Sequence, residues 1–292
     1  MTKGNVQYAG LNYPFLNNIG DHIQSLAAER LIPEVSERFE RDRLRHISAA
    51  NKTIVVMNGW FSHRPMDCFP VSRNILPLYF GFHVTNCNNT WSYLLGSAEC
   101  MEQFRSFGPV GCRDQYTAMK LREAGIDTFY SKCLTLTFPR RLSKPSRGWN
   151  VIVDVPIALP PFIEDRSIRI SHAVSSHLSE SSKRRHAQDL LAFYRDNAAQ
   201  VITTRLHCAL PCLSMGIPVI FLGSNLDYRT SIVKDLAMPI YDLGSRRQDL
   251  SIKNIWNTIK WYPEEPDIEQ EKISIIKSFN DHLSRCIEYF KY

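Results

Sequence analysis

The stretch VITTRLHCALPCLSMGIPVIFLG, residues 201–223, carries the strongest fold signal in the chain. Its pattern predicts a strand, a tight junction, a short helix and a second buried strand. Arg205 and His207 fall where the first strand ends and the helix begins. Because free backbone N–H groups and the positive end of the helix dipole lie there too, the junction suits an anion. The alternative is a surface ion pair for Arg205 and a hydrogen-bonded, partly buried His207.

Outward from this stretch, strands alternate with helices in both directions, which is typical of parallel sheets covered on both faces. We therefore expect an α/β fold. The segment 139–148 is rich in Pro, Arg, Lys, Ser and Gly and marks a domain boundary. The prediction is two Rossmann-like domains facing one cleft, 1–143 and 144–292, the second ending in an amphipathic helix. Predicted strands are 5–9, 53–58, 79–84, 111–112, 129–136, 151–155, 168–172 and 239–241; predicted helices are 21–31, 114–124, 182–197 and 267–292.

Composition indicates a globular protein with a small excess of positive charge. The 292 residues are 44% apolar and carry a formal net charge of +6. Lys and Arg are spread along the chain, and the clusters 41–45 and 183–185 are expected to be solvated helix faces. This distribution favours an acidic small molecule or an anionic surface as partner and does not favour nucleic acid.

The eight cysteines have no repeated short spacing, and several lie in apolar runs, as buried free thiols do. Cys208 and Cys212 are four residues apart, but no second pair completes a zinc site, and no metal is expected. We predict a reducing compartment. The N-terminus lacks a secretory signal pattern, and no apolar stretch is long enough to span a bilayer, so a cytoplasmic location is expected.

In open parallel sheets, ligands collect beyond the carboxyl ends of the strands. Asn18, Gly20 and Asp21 precede the first predicted helix. Gly20 would let backbone approach a ligand, and Asp21 either caps the helix or acts as a base. Asn58 and Trp60 follow the second strand, where an aromatic beside a glycine suits either a sugar ring or a packed corner.

Arg113 follows a further short strand and gives a second arginine at a helix start. Two such arginines in different halves would hold a dianion from both sides. Three histidines near predicted strand ends are expected to be structural or to make minor contacts: His63, His83 and His172.

Four segments in order resemble the polysaccharide pyruvyltransferase family, over about residues 5 to 225. They are NIGDHIQSLA at 18–27, GCRD at 111–114, CLTLT at 133–137, and TRLH at 204–207 continued through 216–219. The Arg-Leu-His element is the sharpest of them. The resemblance implies two Rossmann-like domains with the active site between them, as in GT-B glycosyltransferases. It also implies an N-terminal acceptor side and a C-terminal donor side.

The activity implied by the resemblance is transfer of a pyruvyl group from phosphoenolpyruvate to two hydroxyls of one sugar. The product is a cyclic ketal in a cell-envelope polysaccharide or its precursor, and phosphate is released. Arg205 would bind the phosphate or carboxylate beside Leu206, His207 would be the general acid, and Arg113 would contact the donor. Phosphoenolpyruvate is the donor substrate, and no cofactor is implied. The acceptor is a sugar or a lipid-linked oligosaccharide, which leaves open peripheral association with the inner membrane face.

Two departures and two alternatives accompany this assignment. Cys112 stands where many members have serine before the Arg-Asp pair, and the chain is compact for the fold. A GT-B glycosyltransferase would use the same kind of anion site for the diphosphate of a nucleotide sugar. A non-catalytic protein that binds sugar phosphates or polymers would bind ligand without turnover.

Overall fold

All pairings between the strands of this computed structural model are parallel, within the residues that it describes: 6–223, 227–236, 238–243 and 256–289. By their internal contacts, these residues form two compact units. The N-terminal unit comprises Met1–Leu16, Gln24–Leu134 and Ile273–Tyr292, and the C-terminal unit comprises Asn17–Ile23 and Thr135–Lys272. The predicted boundary after residue 143 would leave Asn17–Ile23 in the N-terminal domain, whereas this division assigns these residues to the C-terminal unit.

The N-terminal unit holds two four-stranded parallel sheets, ordered β2-β1-β3-β5 and β4-β6-β7-β8. The bond from Met57 N to Leu78 O (2.8 Å) extends the pairing within the first sheet, and Gly111 N of the second sheet donates to Tyr79 O, directly after the edge strand of the first, at 3.0 Å. The strands are β1 (Gln7–Asn12), β2 (Glu37–Glu40), β3 (Thr53–Val56), β4 (Gly59–Trp60), β5 (Ile75–Leu78), β6 (Phe82–His83), β7 (Val110–Cys112) and β8 (Thr128–Tyr130). The helices are α1 (Gly20–Glu29), whose first turn belongs to the C-terminal unit, α2 (Pro65–Cys68), α3 (Thr90–Gly96), α4 (Ala98–Ser106) and α5 (Gln115–Glu123).

The C-terminal unit is built on one five-stranded parallel sheet, ordered β10-β9-β11-β12-β13. In the register of the sheet, Thr203 of β11 lies opposite Val153 of β9 and Phe221 of β12. The central strands therefore end side by side, and the residues that follow them meet at one edge. The strands are β9 (Trp149–Val153), β10 (Ser167–Ile170), β11 (Ala198–Thr203), β12 (Val219–Gly223) and β13 (Ile240–Asp242). The helices are α6 (Pro161–Glu164), α7 (Glu180–Asn197), α8 (Leu206–Ser214) and α9 (Ser231–Lys234).

The C-terminal helix, α10 (Glu269–Tyr289), packs mainly in the N-terminal unit. Phe279 is fully buried, and its ring centroid lies 5.3 Å from that of Phe80. Ile275 lies on the buried face with Phe279, whereas Ile273 is 57% exposed. The helix is amphipathic as predicted, with Ile275 and Phe279 but not Ile273 on its buried face.

The predicted α/β class and the alternation of strands and helices are confirmed, with local exceptions. A strand over 79–84 is wrong, because Gly81 has φ +73° and separates β5 from β6. A Cβ there would lie 2.1 Å from Asn58 Oδ1, so the turn needs glycine. The predicted strand at 129–136 ends at Tyr130, and Leu134–Thr137 forms a 3₁₀ turn. Asn5 and residues 290–292 of the predicted elements lie outside the described residues.

The expectation that both basic clusters are solvated is wrong for one residue of each. Arg41 is fully buried and donates from Nε to Asp42 Oδ1 at 2.9 Å. Lys183 is also fully buried, with Nζ 3.3 Å from Glu180 Oε1. A buried cation needs a nearby carboxylate, and in both clusters a sequence neighbour supplies it.

Candidate functional site

The site begins at the junction between β11 and α8 in the C-terminal unit. Thr203 Oγ1 accepts a hydrogen bond from Arg205 N at 2.9 Å, which turns the chain out of the strand. Arg205 is the N-cap residue of α8 and has extended backbone angles, and its side chain does not cap the helix. The start of α8 therefore lies at the carboxyl edge of the sheet, where His207 (φ −84°, ψ 15°) departs from helical backbone angles and the Arg205 side chain makes no capping hydrogen bond.

Asp154 fixes the Arg205 side chain. It follows β9 directly, with φ +51°, and accepts from Arg205 Nε at 2.7 Å. Its carboxylate also accepts from Ser171 Oγ at 2.5 Å and from His172 N at 3.0 Å. Burial raises the pKa of Asp154, but these hydrogen bonds outweigh it and lower the pKa below the ordinary value. An ionised Asp154 thus orients a guanidinium that is still 42% exposed.

The loop 17–23 adds a second wall to the site. Asn18 pairs with Ala173 in an antiparallel bridge, and Ile19 N donates to His172 O at 2.9 Å. At Gly20, an added Cβ would lie 3.3 Å from Cβ and Nδ1 of His207. The backbone at Gly20 is therefore in close contact with the predicted general acid.

The polar side chains of this loop have separate roles. Asn18 Oδ1 accepts from Gly20 N at 3.1 Å, and its Nδ2 lies 3.5 Å from Asp21 Oδ2. Asn18 thus satisfies an N–H at the start of α1, a role that the sequence offered to Asp21. Asp21 is buried in the first turn of α1. The predicted residues Asn18, Gly20, Asp21, Arg205, Leu206 and His207 all belong to the C-terminal unit.

Beneath the first turn of α8 lies a buried polar cluster that the sequence analysis missed. His172 Nε2 and Tyr194 OH are 2.8 Å apart, and Cys208 and Cys212 are buried beside them. Burial raises the pKa of Cys208, but hydrogen bonds with Cys212, His172 and Tyr194 lower it below that of an ordinary thiol. The predicted free, buried thiols are found, and Cys208 joins a hydrogen-bonded network that supports α8 from inside.

Arg113 lies in the N-terminal unit, directly after β7. It is 4% exposed, and its main-chain N donates to Phe82 O at 2.9 Å. The next residue, Asp114, caps α5 by accepting from Thr117 N at 2.9 Å. Asp114 Oδ2 also lies 2.5 Å from His83 Nδ1, so the helix start after Arg113 already holds a carboxylate.

Asn58 and Trp60 form part of a packed corner. Asn58 Nδ2 donates to Gln24 O at 3.1 Å, and its Oδ1 accepts from Leu134 N at 3.5 Å. Trp60 Nε1 donates to Thr85 Oγ1 at 2.8 Å, and Arg41 lies over its ring. The polar atoms of Asn58 are thus used within the scaffold, which favours the packed-corner interpretation.

His63, the last of the three predicted structural histidines, also has a protein partner. His63 Nδ1 is 2.8 Å from Asp42 Oδ2, in keeping with a structural role. Among the described residues, no three His, Cys, Asp or Glu side chains are grouped to hold a metal ion. In the same residues, no helix combines the length and the apolarity that crossing a bilayer requires.

The sequence model of the polysaccharide pyruvyl transferase family matches residues 18–225, which include both the loop at Gly20 and the β11–α8 junction. The chain belongs to this family. No curated protein matches the chain at a significant level. Among solved structures, it is similar to a functionally uncharacterised protein of Klebsiella pneumoniae subsp. pneumoniae NTUH-K2044, with 14% identity and a TM-score of 0.52. That match covers 81% of this chain and 92% of the other, and it supports the fold alone. Membership of the pyruvyl transferase family identifies the protein as a transferase that acts on a sugar acceptor.

Proposed function

We propose that the protein transfers the pyruvyl group of phosphoenolpyruvate to two hydroxyls of one sugar, forming a cyclic ketal and releasing phosphate. One observation carries the proposal: Arg205 and His207 lie at the start of α8, and Gly20 packs against His207. Phosphoenolpyruvate is a trianion at most, with a carboxylate and a phosphate as recognition groups. A guanidinium beside a helix N-terminus suits either group.

His207 is the proposed general acid. It donates a proton to the methylene carbon of phosphoenolpyruvate, while an acceptor hydroxyl oxygen bonds to the adjacent carbon. An imidazole suits this step, because its ordinary pKa lies near neutrality. Asp21 is the proposed base for the hydroxyl, and Asn18 and Gly20 line the approach to it.

Ketal formation completes the balance. The phosphate leaves with the electron pair of its carbon–oxygen bond, and the second sugar hydroxyl bonds to the same carbon. One of the two sugar hydroxyl protons replaces the proton that His207 gave to the methylene carbon, and the other ends on the released phosphate. The chemistry draws on proton transfer and anion binding by side chains, so phosphoenolpyruvate enters as a substrate and no cofactor is proposed.

The finer assignments are also proposals. A lipid-linked oligosaccharide at the cytoplasmic face of the inner membrane is the proposed acceptor, and the protein would meet it peripherally. Binding of the donor by Arg113 and of the acceptor by Trp60 remains a prediction. So does a GT-B arrangement, with acceptor and donor sides in separate domains.

The test is turnover of phosphoenolpyruvate with a panel of hexose and N-acetylhexosamine glycosides. We expect phosphate release that depends on the sugar, together with a new methyl signal in the proton NMR spectrum of the product. In D₂O the methyl group should carry one deuterium, because the carbon is protonated from solvent through His207. His207→Gln should abolish the signal. Consumption of a nucleotide sugar without turnover of phosphoenolpyruvate would instead support a glycosyltransferase, and binding without any turnover would support a non-catalytic role.

A further inference from the structure

A cavity of the C-terminal unit lies at the opposite edge of the sheet from Arg205 and His207. Its wall includes Asn150 and Gln200, near the starts of β9 and β11, and Pro218, directly before β12. Because these strands are parallel, their starts share one edge and their ends the other. β11 has six residues, so the two edges are roughly 20 Å apart. The cavity volume is about 410 Å³, within the range of small-molecule sites.

The inner wall of the cavity consists of the closely packed backbone of Gly148 and Ala199 and of the side-chain amides of Asn150 and Gln200. An added Cβ at Gly148 would lie 2.7 Å from Ala199 N, so only glycine fits there. Gln200 Nε2 donates to Asn150 Oδ1 at 3.0 Å, and Asn150 Nδ2 donates to Ile163 O at 3.1 Å. Gln200 is 3% exposed, and its Oε1 has no hydrogen-bond partner among the described residues. A buried acceptor without a donor is costly, and a ligand hydroxyl would supply one.

The outer wall combines aromatic rings with positive charge. Phe162 is 54% exposed and Tyr262 is 64% exposed, although both line the cavity. Aromatic faces of this kind suit the C–H face of a sugar ring, and the tyrosine hydroxyl adds a polar tip. Arg166 is exposed and lines the same cavity, and no hydrogen bond or ion pair of the described part of the chain involves its side chain. Lys144 is different, since its Nζ lies 3.1 Å from Glu265 Oε1.

We propose that this cavity binds an acidic sugar residue of a saccharide, at a site separate from the one where the pyruvyl group is transferred. Phe162 and Tyr262 stack on the ring, Arg166 pairs with the carboxylate, and Gln200 accepts from a hydroxyl. The ligand class rests on the proposed function, whereas the cavity and its lining do not. A second site on the same polymer would raise the effective concentration of the acceptor near the catalytic residues.

The test is titration of the full-length protein with a disaccharide of glucuronic acid and glucose, and with cellobiose as its neutral counterpart. We expect the acidic disaccharide to bind more tightly. Arg166→Gln should weaken its binding by about tenfold and remove the preference over cellobiose, and Tyr262→Ala should weaken both sugars. Arg185→Gln, which removes an exposed arginine of α7, is the matched control and should change neither.

Three results would overturn the proposal: no measurable binding, equal affinity for the two sugars, or binding that survives both Arg166→Gln and Tyr262→Ala. Arg205→Ala separates this site from the catalytic one, since it should leave disaccharide binding unchanged. Turnover of phosphoenolpyruvate with a monosaccharide acceptor should be unaffected by Arg166→Gln. Absence of that turnover in the wild type would count against the proposed function, while the titration would still decide whether the cavity binds sugar.

Discussion

The two units place an arginine at the same kind of position, and the surroundings of the two arginines differ. Arg113 and Arg205 each follow a parallel strand and precede a nine-residue helix. Arg113 is 4% exposed, and the helix behind it is capped by Asp114. The Arg205 side chain is 42% exposed, and it does not cap α8. Its orientation comes from Asp154, a residue of a neighbouring strand end.

The two helix starts differ in whether a carboxylate already caps them. The start of α5 already faces the carboxylate of Asp114. Burial raises the pKa of Asp114, but the hydrogen bonds with His83 and Thr117 N outweigh burial and lower the pKa below its ordinary value. At α8, the Asp154 carboxylate binds the Arg205 guanidinium, and the Arg205 side chain makes no capping hydrogen bond to the helix.

The largest expected contrast is between the histidines of the two units, changed in the same way. His207→Gln should lower kcat for pyruvyl transfer by about 10²–10⁴-fold, because it removes the proposed proton donor, and should leave stability nearly unchanged. His83→Gln should instead lower the free energy of unfolding by about 3 kcal/mol, because it breaks a buried pair with Asp114. Turnover assays and urea unfolding of both variants check this. A large loss of stability in His207→Gln would contradict this contrast, because His207 would then have a structural role like that of His83.

Acid should weaken the N-terminal unit through His282. This residue is 7% exposed on α10, and burial, helped by Arg285, lowers its pKa from 6.5 to about 4. Since the unfolded chain binds the proton more readily, stability is full above pH 6.5 and falls as the pH drops toward 4, by up to about 3 kcal/mol.

His282→Phe should flatten this dependence, because a ring of similar shape would remain against Phe80 and Phe129. Unfolding in urea at several pH values, on wild type and variant, measures the difference. Equal pH slopes for the two proteins would show that His282 is not buried as a neutral group.

Asp154→Asn tests how Arg205 is oriented. Asparagine tolerates the positive φ at this position, so the backbone should keep its shape. The ionic bond to Arg205 Nε is lost, and we expect KM for phosphoenolpyruvate to rise about tenfold. Asp196→Asn is the matched control, because Asp196 binds Arg195 on the surface of α7. Equal kinetics for both variants would mean that Asp154 does not position the arginine.

The smallest effect is expected at Gly20. In Gly20→Ala, the new Cβ would lie 3.3 Å from His207 Nδ1 and 3.2 Å from Asn18 Oδ1, so the imidazole must shift by a few tenths of an ångström. We expect a several-fold loss of kcat with little change in stability. Gly96→Ala is the control, since a Cβ added there would meet no atom of the described residues within 4 Å, apart from its chain neighbours and the backbone of its own helix. An unchanged kcat in Gly20→Ala would show that this contact does not position His207.

Much of the fold follows from local sequence signals. Buried strands such as β9 and β11 are apolar runs, and α5 has a clear cap at Asp114 and a glycine with φ +77° at its end. The turn at Gly81 could not be predicted, because it depends on the side chain of Asn58, 23 positions away in the chain. The buried state of Arg41 was missed because a run of basic residues usually faces solvent.

The candidate site was predicted in part. Arg205, His207 and Gly20 were found because they stand at strand ends or helix starts, and the contact between Gly20 and His207 is purely tertiary. Asp154 was missed because the alternation of strands placed it inside a predicted strand. Its position directly after three β-branched residues was the signal that could have found it. At Asn58 and Trp60, no local sequence feature separates a sugar-binding aromatic from a packed corner.

The proposed binding site for the anionic donor is Arg205, at the start of α8. The direct measurement is the thermal stability of wild type, Arg205→Ala and Arg195→Ala with and without phosphoenolpyruvate, with nucleotide sugars in parallel. A ligand at 100 times its Kd should stabilise the native state by about 2.7 kcal/mol, which corresponds to a rise in Tm of roughly 5 °C. We expect that rise with phosphoenolpyruvate in wild type and Arg195→Ala, and none in Arg205→Ala. An equal rise in Arg205→Ala, or a rise with nucleotide sugars alone, would contradict the claim.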